Sequence, residues 1–214
     1  MNNSSPVVEG LLMIHRIISK GLNNSIWKCD AYMANHGIPR DEKEGFVMYV
    51  TTLKWVTHSH HTTEDELGFP YFMDHIDAPY DRLKQDHLTM AQVLEKLDKN
   101  LTDIASGSLV ALRDTLGEFR DLWGPHIKIE EENFSFDRIN RIFDQKEQKK
   151  LAKMFSEHSS KNSGPGPLAL PFMLNNLEKA DREAFMTEIP WVVTKILMPV
   201  VWKKKWEPME PFFL

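Results

Sequence analysis

His60 and Glu64 stand four residues apart, and so do His126 and Glu130. On a helix this spacing puts an imidazole and a carboxylate on one face, one turn apart. Such a pair offers a nitrogen and an oxygen donor to a metal ion. The two pairs also share their surroundings, because His60-x3-Glu64-Asp65-Glu66 recurs as His126-x3-Glu130-Glu131-Glu132. Each pair interrupts an otherwise apolar stripe, and His15 and His87 interrupt two further stripes. One histidine on an apolar face is ordinarily a satisfied core residue. A buried carboxylate is harder to accommodate, since an unpaired ionised group in a core costs several kcal/mol or more. Six polar groups on four inward faces therefore need a shared partner.

Four helices must position them. The first stripe is Val8, Leu11, His15, Ile18, Leu22, Ile26, Cys29 and Met33; the second is Phe46, Val50, Leu53, Thr57, His60, Glu64 and Leu67. A third runs through Tyr80, Leu83, His87, Met90, Leu94, Leu97, Leu101 and Ile104, and a fourth through Leu109, Leu112, Leu116, Phe119, Trp123, His126 and Glu130. Steps of three and four describe one face of a bundled helix. Asp41 and Glu44 give the second helix a start resembling a capping box. Breakers at Gly37-Ile38-Pro39, Gly68-Phe69-Pro70, Ala78-Pro79 and Ser106-Gly107-Ser108 separate the segments. No segment alternates polar and apolar residues over strand length. The reading is all-α: an up-and-down antiparallel four-helix bundle over residues 1–134, made of two similar hairpins, with a helical extension over 135–214 packed on it.

Counting from the expected helix ends gives the heights of the histidines. His15 lies about eight residues, or ~12 Å, inside the first helix. His60 lies about nine residues before the end of the second, His87 about nine into the third, and His126 about eight before the end of the fourth. In an antiparallel bundle these offsets bring all four to one level near one end, whereas chance placement would scatter them over ~40 Å. Four imidazoles and two carboxylates able to bridge suit two metal ions. Donors of this kind without sulfur favour iron or manganese in a redox role, and zinc would also accept them. Six groups do not saturate two octahedral ions, so positions remain for dioxygen or another small ligand.

The run His60-His61-Thr62-Thr63-Glu64-Asp65-Glu66-Leu67-Gly68-Phe69-Pro70, with His15, Asp86-His87 and the His126-x3-Glu130 pair, resembles the signature of the hemerythrin-like, HHE cation-binding proteins. The resemblance spans roughly residues 7–134. It implies a non-haem di-iron site with His15, His60, Glu64, His87, His126 and Glu130 as ligands, in a protein that binds or activates dioxygen for oxygen or iron binding or sensing. Two departures stand out. Oxygen-carrying members have a further histidine one turn before the ligand of the third helix, where this chain has Leu83. They also carry an aspartate five residues past the last histidine, where Glu130 here follows at four. Fewer nitrogens leave the metal more open, which favours oxygen reduction, peroxide chemistry or iron sensing over reversible carriage. An oxygen-dependent di-iron oxidase or oxygenase acting on a small molecule is the alternative. A structural zinc or metal-free helical interaction protein is a third.

The other histidines have ordinary readings. His61 rivals His60, because Asp65 lies four residues beyond it, but its stripe through Lys54 and Gly68 reads as solvent or interface. His58 reads as surface, His36 as a helix C-terminal residue favoured by the dipole, and His158 as part of a polar surface stretch. His75, after Pro70, could approach the site end. Pro125 before His126 either kinks the fourth helix to aim His126 and Glu130 or interrupts it for packing alone.

Composition narrows the class. The chain has 214 residues, 42% hydrophobic and 27% charged, enough for one sizeable core. A net charge of -5 gives no footprint for nucleic acid. One cysteine, Cys29, excludes an internal disulfide framework and a cysteine-based zinc cluster. No apolar run reaches the ~18 residues of a membrane span, and MNNSSPVVEG lacks the features of a signal peptide, so a cytoplasmic location is expected.

Beyond residue 134 a fifth helix is expected from about 136 to 158, a loop from Ser159 to Pro171, and short helices around 172–187 and 190–203. Trp191, Trp202 and Trp206, with Pro190, Pro199 and Pro208, suggest segments that pack. They form a lid over the site end, a dimer surface on the bundle side, or an extra packing layer. Lys203-Lys204-Lys205 are too few for stable membrane anchoring.

Overall fold

The computed structural model describes residues 4–102, 104 and 109–214. The Ser106-Gly107-Ser108 breaker and the expected start of the fourth segment lie outside the described residues. Among those described there is no strand, and no helix is long and apolar enough to cross a membrane.

Four long helices make the frame: α1 (Pro6–Ala34), α2 (Lys43–Thr63), α4 (Tyr80–Thr102) and α5 (Leu109–Asn133). Ser5 caps α1 by accepting from the Val8 N–H, with Pro6 in the first turn where its missing N–H costs nothing. The start of α2 differs from expectation. Its cap residue is Glu42, with no side-chain cap hydrogen bond. The Glu42 carboxylate is instead engaged by the Tyr32 hydroxyl and Lys28, while the Pro39 carbonyl accepts the Glu42 and Lys43 N–H groups. α2 passes into a π-helical turn, Glu64–Gly68, and then a short α3 (Phe69–Phe72). α5 continues through Gly124-Pro125 without interruption. α1 and α4 each pack against both α2 and α5, closing a four-helix ring.

The buried apolar residues fall into two clusters separated along the bundle axis. The larger joins Ile17, Leu22, Phe46, Leu53, Met90, Leu97, Leu116 and Trp123. The smaller joins Val8, Phe69, Tyr80, Leu83 and Phe134 with residues of the following helices. On every long helix a histidine lies between the two, so a polar layer is sandwiched between apolar ones.

After α5 come α6 (Phe136–Ile142), α7 (Gln145–Asn162), α8 (Gly166–Asn175) and α9 (Lys179–Thr187). A π-helical segment (Val193–Val201), α10 (Lys203–Trp206) and a 3-10 turn (Glu207–Phe212) follow. The single expected helix over 136–158 is broken at Phe143-Asp144, where the Asp144 side chain accepts the Glu147 N–H and starts α7 afresh. The expected loop from Ser159 to Pro171 is mostly helix, since α7 runs to Asn162 and α8 opens at Gly166. Proline suits the first turn of α8, and the sharp break needs only Gly164, at φ +78°, under the Trp55 ring.

α6 and α7 cover the site end, placing Ile139, Phe143 and Leu151 in the smaller cluster. The tail does not form a lid there. Trp206, Met209 and Phe212 pack with Phe46 and Tyr49 in the larger cluster, about 20 Å along α2 from His60 at 1.5 Å per residue. Trp202 is half-buried, while Trp191, expected to pack, is 69% exposed.

Cys29 is fully enclosed, and burial, reinforced by Asp30, pushes its thiol up to about 12. The thiolate is the reactive form. An aromatic disulfide reagent at mildly alkaline pH should leave the native protein unlabelled and label one thiol after denaturation. Stoichiometric labelling of the native chain would contradict this packing.

Candidate metal centre

The polar layer gathers one histidine from each long helix. His15, His60, His87 and His126 are 5% exposed or less, Glu130 is fully buried, and the Glu64 side chain is nearly so. The Glu130 carboxylate lies between helices. Its Oε2 is 3.1 Å from His15 Nε2, and its Oε1 is 3.1 Å from His126 Nε2 and 3.9 Å from His87 Nε2. Glu64 Oε2 is 3.4 Å from His60 Nε2 and 3.5 Å from His87 Nε2. Two four-donor groups result, His15–His60–Glu64–Glu130 and Glu64–His87–His126–Glu130, each with its donor atoms within 4.8 Å of one another. They overlap in the two glutamates. All six expected residues are thus in one layer.

A second set of carboxylates orients the imidazoles. His87 Nδ1–H donates to Asp65 Oδ1 at 3.0 Å, and His15 Nδ1–H donates to Glu131 Oε1 at 2.9 Å. Asp86 Oδ2 approaches His126 Nδ1 at 3.6 Å. A carboxylate at Nδ1 holds the proton there and leaves the Nε2 lone pair facing inward. The repeated sequence block now has a spatial meaning. Asp65 follows Glu64 in the first hairpin and holds His87 of the second. Glu131 follows Glu130 in the second hairpin and holds His15 of the first. The halves are related by an approximate two-fold exchange, and each orients the lone histidine of the other.

Two features of the chain serve this arrangement. The π-helical turn at Glu64–Gly68, closed by the Phe69 N–H to the Glu64 carbonyl, inserts an extra residue where Glu64, Asp65 and Phe69 all address His87. Turns of this kind cluster at functional sites. Phe69 stacks on His87 with centroids 5.5 Å apart. From the opposite side, Trp123 packs edge-on against His15 and His60 at 5.5 and 5.7 Å, its indole N–H donating to Ser19 Oγ. These rings wall the layer on two sides.

Burial and close approach pull the ionisable groups of the layer in opposite directions. Burial pushes Glu130 up, but His126 and His15 outweigh it and hold the carboxyl well below its ordinary range. Burial and the neighbouring Glu130 and Asp65 charges push Glu64 well above its own. Burial depresses His15 too, yet Glu130 and Glu131 raise it overall. His60 and His61 are driven far down by burial and by the surrounding imidazoles.

The donor set can be tested for fit on its unpartnered atoms. Among the described residues, eight buried side-chain nitrogens or oxygens lack a hydrogen-bond partner, and all but Arg182 Nε belong to this layer. A buried polar atom left wholly unpaired costs ~1–3 kcal/mol, and the Glu130 oxygens meet imidazole nitrogens at 3.1 Å. His87 Nε2 and His126 Nε2 also face each other at 3.0 Å. That is the spacing of an N–H···N hydrogen bond with the proton on one Nε2, and equally of two cis nitrogens ~2.1 Å from one ion, which sit ~3 Å apart. The residues fit a metal.

His61 corrects the sequence reading. It is 95% buried rather than at a solvent face. Its ring stacks on His87 at 4.1 Å and 17°, and it forms a three-histidine group with His87 and His126. A stripe marks a single buried face, but α7, α8 and the tail cover the outside of α2, burying Thr52, Leu53, Val56, Thr57, Ser59, His60 and His61 nearly all round. His75 does not join the layer; it is exposed against Phe143 and Tyr71. His58 is exposed, and His36 follows the end of α1 at φ 63°. His158 clamps α7 to the end of α2 through Thr63 Oγ1 and Glu66. Nothing in the spacing of Asp65, Asp86 and Glu131 marks them as orienting groups. Their only sequence signal is adjacency to a ligand-type residue, which any surface carboxylate shares.

Searches of curated proteins and of solved structures each returned no match. The family model described as the hemerythrin HHE cation binding domain matches residues 7–135. That span runs from the start of α1 to just past α5 and contains every histidine and glutamate of the layer. With this match over more than half of its length, an all-helical fold and donor groups that could hold a metal ion, the chain belongs to the hemerythrin HHE cation-binding family.

Proposed function

We propose that the protein is a hemerythrin-like non-haem di-iron protein that binds or activates dioxygen, in oxygen or iron binding or sensing. One observation carries this reading: two four-donor groups share Glu64 and Glu130. His15 and His60 would hold one ion and His87 and His126 the other, with both glutamates bridging. Imidazole and carboxylate without sulfur suit iron, with manganese or zinc as poorer fits to a redox role. Bound iron supplies the redox chemistry toward dioxygen. The chain's own residues do the rest. Asp65 and Glu131 keep the protons of His87 and His15 on Nδ1, Glu130 supplies buried negative charge, and Trp123 and Phe69 exclude water. Six side chains leave ion positions open to a small exogenous ligand. Residues 1–134 act as the metal-binding domain and 135–214 as a helical extension that seals its outer faces.

The test is an optical spectrum of the ferrous protein before and after oxygen. A new visible band that disappears on deoxygenation supports binding or sensing, and oxidation with turnover of a small molecule supports activation. A spectrum indifferent to oxygen would contradict the proposal.

A further inference from the structure

We infer that His61 is a seventh ligand, a third imidazole on the ion held by His87 and His126, which makes the two metal sites unequal. This rests on the two-ion reading above and adds one residue to it.

His61 offers a donor where one is missing. The donor atoms of His61, His87 and His126 all lie within 4.8 Å of one another, and each of these residues is buried. Nitrogens ~2.1 Å from one ion lie ~3 Å apart when cis and ~4.2 Å when trans, so this set is close to the spacing of a shared ion. His61 Nε2 is buried and has no hydrogen-bond partner among the described residues. Leu83, one turn before His87, is fully buried and carries no donor.

Packing alone does not account for the residue. Phe69 already stacks on His87 with a ring that has no polar atom. His61 brings the same nearly parallel stacking, at 4.1 Å, together with a nitrogen that a pure packing role leaves unsatisfied.

His60-His61 in the first hairpin corresponds to His126-Ile127 in the second. Ile127 is a partly buried apolar residue packed against the larger cluster, and it offers no donor. The His15–His60 ion therefore has two imidazoles where its counterpart has three. Two chemically similar halves become an asymmetric pair through one position.

The experiment is anaerobic ferrous loading of the full-length wild type, His61→Phe and His61→Ala, with iron content, a binding titration and a Mössbauer spectrum of each. His61→Phe keeps a stacking ring and removes the donor. Two quadrupole doublets are expected for the wild type. In both variants one doublet should shift or vanish, and affinity for that ion should fall at least tenfold, while the other doublet persists. Should circular dichroism show that neither variant folds, the near-isosteric His61→Gln takes their place under the same criteria. A folded variant that holds both ions with wild-type affinity and unchanged doublets would overturn the inference. Equal loss of both ions would also overturn it. If the wild type itself takes up fewer than two irons, the two-ion reading fails, and His61 has no ion to complete.

Discussion

On the two-iron proposal, replacing Glu130 by alanine should strip both irons from the protein while leaving it folded. Glu130 and Glu64 belong to both four-donor groups, and Glu130 is the more enclosed of the two. Its two oxygens face different helices, one toward His15 and the other toward His126 and His87. On the two-ion proposal, removing it takes a donor and a negative charge from each ion at once, and Glu64 is the other carboxylate of the His15 group among the described residues. Iron retained after anaerobic gel filtration should fall from two per chain to fewer than one. The metal-free variant should stay helical, because the apolar clusters on either side of the layer are untouched by the change and its cost is confined to the lost attraction to His15 and His126. Loss of iron with an intact circular-dichroism spectrum then reports coordination rather than unfolding. Retention of two irons would remove Glu130 from the centre.

The second large effect is expected at the other end of the bundle. A Cβ at Gly45 would lie 1.8 Å from the Pro208 carbonyl oxygen and 2.7 Å from its carbon. The obstacle is backbone, so no side-chain rotation relieves it. Either α2 shifts or the tail lifts, exposing Trp206, Met209 and Phe212. Overpacking of this kind costs ~3 kcal/mol, against the ~1 kcal/mol that alanine gains over glycine inside a helix. The net loss for Gly45→Ala is about 2 kcal/mol, or a Tm lower by roughly 4–8 °C for a chain of this size. Iron content should not change, since the layer is ~20 Å away along α2. An unaltered Tm would show that the tail does not pack on α2 as described.

Much of this arrangement was legible in the sequence because helices are periodic and their ends are marked. Steps of three and four located the inward faces, and nearly all of those apolar positions are buried, from Val8 and Leu22 to Leu112 and Phe119. Distances counted from Gly-Pro breakers placed four histidines at one height, and the folded chain has them in one layer. That inference needed only a fixed rise per residue and short connections.

What escaped has physical causes too. The burial of His61 escapes the periodicity of α2, because the elements that cover the outer side of that helix lie far along the chain. The π-helical turn at Glu64–Gly68 leaves no distinctive composition, yet it sets how Asp65 and Phe69 meet His87. The start of α2 shows the same limit, since Glu42 found Tyr32 and Lys28 as partners and left the capping pattern unused. Gly-Pro composition around Gly164-Pro165-Gly166-Pro167 reads as a long loop, but only a short break is needed before proline starts the next helix. The tail's destination was open because its aromatic residues suit any apolar surface; Gly45, where a backbone can approach closely, was the unread clue.

The central claim is that one layer of the bundle holds two ions bridged by Glu64 and Glu130. Its most direct measurement is the iron-to-chain ratio of the wild-type protein after anaerobic ferrous loading and removal of unbound metal. The account predicts two irons per chain, falling on replacement of either glutamate. One iron or none, in a folded protein, would contradict it.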